Sequence, residues 1–101
     1  MSDQTAFKIL TASEWADFER DQILYGSQVD KADGYIHLST ADQLQETLDK
    51  HYAGQSKLTI AEVHLDAVTE ILRWEPSRGG QLFPHLYGPL PMSAIGTIRS
   101  A

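Results

Sequence analysis

The chain has 101 residues, 42% of them apolar, no cysteine and a formal net charge of −6. That length suits one domain around one core, and the lack of cysteine excludes disulfides, thiolate zinc sites and cysteine nucleophiles. The acidic balance argues against binding to nucleic-acid backbones, which depends on Lys and Arg displacing counterions; with no long apolar run and no basic-then-apolar leader, the chain reads as a cytoplasmic protein with no membrane partner.

"AFKIL" reads as a first strand. It leads into Thr11, whose spacing to Glu14 is that of a capping box, and a helix is expected over 12–21 with Trp15 and Phe18 on its buried stripe. "ILYGSQVDKADG" reads as a connection with a short extended piece at 23–25, in which Gly26 and Asp33-Gly34 are turn signals. "YIHLS" is expected as a strand whose alternation sends Ile36 and Leu38 to one face and Tyr35, His37 and Ser39 to the other. Thr40 and Gln43 repeat the capping-box spacing, and Ala41, Leu44, Leu48 and Tyr52 recur at helical intervals up to the stop at Gly54. "KLTIAEVHL" is the strongest strand and "EILRWE" a shorter one. "PSRGGQ" is a loop, "LFPHLYG" is extended and "MSAIGTIRS" is a closing strand. This order predicts a single α+β domain over 1–101, its late strands antiparallel.

Two stretches concentrate groups able to do chemistry. His37 lies where a strand runs into a helix N-terminus, whose free amides and dipole favour an anion, and Gly34, Tyr35, Ser39 and Thr40 flank it. On one reading these residues meet a ligand; on the other His37 is a packed strand histidine and Ser39 and Thr40 only cap the helix. The second stretch, residues 73–91, holds Trp74, Glu75, Arg78, Phe83, His85 and Tyr87 among glycines and prolines. It suits either a small-molecule pocket or a rigid aromatic lobe. Alternation puts Phe83, His85 and Tyr87 on one face, and Glu75 is the one acid there, hence the general-base candidate.

Charge is uneven as well. Residues 71–101 carry one acid, Glu75, and three bases, Arg73, Arg78 and Arg99, so a nucleotide or other small anion meets least repulsion there. The histidines at 37, 51, 64 and 85 have no metal-ligand spacing, and Glu62 and His64 share what reads as a solvated strand face. The nucleophile elbow, the phosphate loop and the dinucleotide fingerprint are all missing.

Taken together, "DGYIHLSTADQLQETLDKHYAG" and "LRWEPSRGGQLFPHLYGPLP" resemble the bacterial domain-of-unknown-function family 952, over nearly the whole chain. The resemblance implies a fold similar to the ADP-ribosyltransferase core: split antiparallel β-sheets, here with two main helices, around a cleft that holds NAD as substrate. It implies that His37, Ser39 and Thr40 line that cleft and that "FPHLYG" enters it from the later half. The chain departs from related transferases in carrying Lys8 where a first-strand His or Arg is common. Two functions follow as expectations. One is an ADP-ribosyl transfer in which His37 and Ser39 fix the ribose, aromatic rings sandwich the nicotinamide and Glu75 supports the cationic centre. The other is a module that binds a nucleotide, a sugar phosphate or a protein partner without turnover.

Overall fold

Local capping sets the helices. The computed structural model describes residues 4–101; the side chain of Arg78 lies outside the described residues. Helix α1 (Ala12–Asp21) starts at Thr11, whose hydroxyl accepts from the Glu14 amide while Glu14 accepts from the Thr11 amide. Phe18 is its buried residue, with Trp15 edge-on at 5.7 Å. Helix α3 (Ala41–His51) starts at Thr40, whose N–H donates to Gln43 Oε1 at 3.0 Å. Gln43 is buried as well as Leu44, because its amide also donates to the Leu82 carbonyl at 2.8 Å; Ala41, expected on the apolar stripe, is exposed.

The segment 28–33, read from sequence as connection, is a helix, α2 (Gln28–Asp33). Ser27 and Asp30 form its capping box, and Gly34 ends it in the left-handed conformation at φ 92°, donating to the Asp30 carbonyl. Six residues are too few to display a helical period, so only the Ser27-to-Asp30 spacing announces it. Gly26, at φ 111°, is needed for a second reason: a Cβ there would sit 2.6 Å from the Cβ of Asp30.

All strand pairing is antiparallel among the described residues. Strand β4 (Thr59–His64) lies between β1 (Thr5–Leu10) and β8 (Ile95–Ser100). A second sheet sets β6 (Leu82–Leu86) between β3 (Ile36–His37) and β5 (Leu72–Pro76), and β2 (Ile23–Leu24) pairs with β7 (Leu90–Pro91). The two larger sheets touch at one bridge, where Phe7 and Ser39 exchange backbone hydrogen bonds of 2.7 and 2.9 Å. "YIHLS" is therefore a short ladder that changes partner: Leu38 still donates to Pro84, and Ser39 already belongs to β1.

The main core joins Leu10, Phe18, Ile36, Leu38, Val63, Leu86 and Leu90, and a smaller one under α3 joins Ile9, Leu44, Leu58 and Ile60. Burial of each such side chain contributes about 1.5–3 kcal/mol. The result is an α+β fold of three antiparallel sheets with three helices, one more than expected. No helix of the described residues is long and apolar enough to cross a membrane.

Candidate functional site

A cleft of about 680 Å³ opens where the two larger sheets part, with walls from β1, α2, β3, α3 and β6. Its chemistry begins with one substitution in a pattern. β1 alternates, and the side that buries Ala6 and Leu10 must also bury Lys8, which is 5% exposed. A buried ammonium needs a counter-charge. Asp30 of α2 supplies it: Lys8 Nζ donates to Asp30 Oδ2 at 2.8 Å and to the His37 carbonyl at 3.2 Å.

Asp30 is a hub, accepting also from the Ser27 amide, the His37 amide and, at 2.6 Å, His37 Nδ1. Burial pushes its carboxyl up, but the hydrogen bond from His37 and the Lys8 ammonium outweigh that and hold it well below the usual carboxylate range. On the other side of the ring, His37 Nε2 lies 2.9 Å from Asp33 Oδ2. Both nitrogens of His37 are thus engaged by α2.

His85, on the adjacent strand, is held differently. The register pairs His37 with His85, so both rings leave the same face of the sheet, 5.5 Å apart and edge to face. His85 is 3% exposed and its Nδ1 lies 2.8 Å from Glu75 Oε1. Tyr87 donates its hydroxyl to that same oxygen at 2.7 Å. These two bonds, His85 first, lower the Glu75 carboxyl below its ordinary value, and the bond to Glu75 raises the Tyr87 phenol. Tyr35 stacks on the His85 ring at 4.1 Å and is 5.2 Å from Tyr87.

Of the residues singled out from sequence, His37, Ser39, Phe83 and His85 lie on the cleft wall. Ser39 is buried, with its hydroxyl 2.9 Å from that of Thr47. Tyr35, Glu75 and Tyr87 join the site through His85, and Glu75 reaches it as an anchor of the imidazole. Gly34 is the cap of α2, Thr40 the cap of α3, and Trp74 stands on the other face of β5, opposite Pro84. Arg78 was singled out too, but its side chain lies outside the described residues. Lys8, Asp30 and Asp33 were missed as site residues. The available signals were a lone cation inside an apolar strand and the Ser27-to-Asp30 capping spacing.

A cleft with two carboxylate-anchored imidazoles, a buried cation and a row of rings can bind a flat polar molecule and move a proton. Among curated proteins none matches the chain. Among solved structures, the crystal structure of protein CC0527 from Caulobacter crescentus matches with TM-score 0.92 and 43% identity over 95% of this chain and 84% of that one. Its solution NMR structure matches with TM-score 0.84 and 43% identity over 95% and 83%. The family model described as protein of unknown function (DUF952) matches residues 9–98, and the chain belongs to that family.

Proposed function

We propose that the cleft binds NAD or a related nucleotide, as an ADP-ribosyltransferase core does, and transfers ADP-ribose from it. The observation that carries this reading is the continuous ring surface of Tyr35, His37, His85 and Tyr87 beside the cleft, with neighbouring centroids 4.1 to 5.5 Å apart. A nicotinamide or adenine ring finds there the offset and edge contacts that aromatic pairs prefer. The volume is in the range of small-molecule sites. The split antiparallel sheets meeting at Phe7 and Ser39 support the likeness to the transferase core.

In the reaction the C1′–N bond of NAD breaks, its electron pair leaves with nicotinamide, and the ribose passes through a cationic state. Asp33 on the cleft wall and Glu75 beside it supply the negative field that favours this state. His37, expected to fix the ribose, offers its ring face, since both of its nitrogens are engaged.

The test follows amide signals of the protein on addition of NAD, ADP-ribose and inorganic phosphate, and assays nicotinamide release in parallel. Saturable shifts around 35–39 and 83–87 with both dinucleotide-type ligands, together with nicotinamide release, are the expected outcome. Silence toward all three ligands contradicts it. A second reading, nucleotide or sugar-phosphate binding without turnover, is favoured by one observation: both nitrogens of His37, the catalytic candidate on the cleft wall, are engaged by Asp30 and Asp33, which leaves that ring no nitrogen with which to move a proton. Shifts without release would select that reading.

A further inference from the structure

We propose that His85 Nε2 accepts the proton of a hydroxyl-bearing acceptor, water or an alcohol, as its oxygen attacks the ligand in the cleft. This inference rests on the transfer reading and names the acceptor class. Its basis is the hydrogen-bond inventory of one ring. Glu75 holds Nδ1, so Nδ1 carries the hydrogen and the lone pair of the neutral imidazole falls on Nε2. No described residue partners Nε2, although the ring is almost wholly buried and forms part of the cleft wall. A buried acceptor without a partner is costly, and its presence in a cleft marks a position kept for a ligand.

The ring is also fixed. Tyr35 stacks on it with planes 27° apart, and Tyr87 steadies the anchoring oxygen of Glu75. An oriented base with a carboxylate on its far nitrogen is the arrangement that activates hydroxyls in unrelated enzymes. A guanidinium acceptor would instead need a carboxylate for itself, and those near the ring are engaged: the Glu75 oxygen nearest it accepts twice, Asp33 meets His37 Nε2, and Asp30 holds Lys8 and His37. The charged and titratable groups around His85 are Glu75 and Arg73 from β5, His37 and Tyr35 from the β3 side, and Tyr87 beyond β6.

The step balances. The acceptor oxygen forms a bond to C1′, its proton goes to His85 Nε2, the C1′–N bond breaks with its electron pair leaving on nicotinamide, and His85 then releases the proton to solvent. The net change is NAD plus hydroxyl acceptor to ADP-ribosylated acceptor, nicotinamide and one proton.

The experiment measures NAD consumption from pH 5 to 9 with water, methanol or agmatine as acceptor, for wild type, His85→Gln and Glu75→Gln. Wild type should show a single acid limb and form products with water and methanol. His85→Gln should lose that limb and about 100-fold in kcat with KM little changed. Glu75→Gln should also lower kcat with KM little changed, because an amide can offer its own N–H to Nδ1 and no longer fixes the hydrogen there. If His85→Gln does not fold, His85→Asn read in the same way carries the test. Turnover in which the His85 variant keeps the wild-type limb, or a product with agmatine alone, overturns the inference and leaves the transfer reading standing. NAD bound but never consumed overturns the transfer step with it, and NAD neither bound nor consumed overturns the whole reading.

Discussion

Among the described residues two histidines on adjacent strands, His37 and His85, are held by carboxylates, and the two arrangements are built for different work. In the first, Asp30 is buried, paired with Lys8 and bonded to His37, whose other nitrogen meets Asp33. In the second, Glu75 is half-buried, bonded to His85 and Tyr87, and leaves His85 Nε2 without a partner among the described residues, on a ring that forms part of the cleft wall. The first pair ties α2 to β1 and β3. The second spends little on tying elements together, since β5 and β6 are already joined by their ladder, and orients one ring. The same two residue types thus serve as a clamp or as an oriented base, according to how many polar atoms are left over.

The largest expected effect breaks the clamp. Asp30→Ala removes the acceptor for two backbone amides and leaves the Lys8 ammonium buried without a counter-charge. Loss of about 3–5 kcal/mol is expected in urea unfolding, a large share of the stability of a small domain. Glu75→Gln should melt close to wild type, because Glu75 sits at the surface of a paired strand. A large loss in Glu75→Gln and a small one in Asp30→Ala would reverse the assignment.

Acid sharpens the same contrast. The Asp30 carboxyl is depressed in the folded state, so its stabilisation is complete above the unfolded value near 3.9 and is lost as pH falls below that toward the folded value. The urea midpoint of wild type should fall between about pH 4 and pH 2 by more than that of Asp30→Ala, whereas Glu75→Gln, which removes only a half-buried lowered carboxyl, should fall nearly as far as wild type.

Tyr35→Leu removes the ring that stacks on His85 while keeping an apolar side chain. A cost of about 1 kcal/mol in stability is expected, together with a weaker response of the amides at 83–87 to NAD; an unchanged titration would remove Tyr35 from the ligand surface. The smallest effect is that of Asp33→Asn, which weakens the outer bond of His37 at a half-exposed position and should change stability by about 0.5 kcal/mol or less. It makes His37 more like His85, and a gain in ligand response at His37 would show that its second carboxylate is what silences it.

Much of this arrangement is legible in local pattern. Thr11 with Glu14 fixed the start of α1, and alternation alone put Tyr35, His37 and Ser39 on one side of their strand and Phe83, His85 and Tyr87 on one side of theirs; the register then sets His37 beside His85 on a single face of the sheet. What local pattern does not carry is pairing at a distance. Lys8 and Asp30 are 22 residues apart, and nothing near either announces the other. Glu75 stands out as the lone acid of its segment, but its role depends on a strand register that sets it opposite Phe83 and diagonal to His85. Helix α2 was hidden by its shortness, and its buried aspartate looked like part of a polar connection.

The two imidazoles differ in which ring nitrogens are engaged, and long-range proton–nitrogen NMR of the histidine rings near neutral pH, with and without NAD, measures that difference directly. The prediction is that His85 carries its hydrogen on Nδ1, with a bare Nε2 whose nitrogen signal moves on addition of NAD, while the signals of His37 move far less. A hydrogen on His85 Nε2 without response to NAD, or a ligand response concentrated at His37, would contradict it.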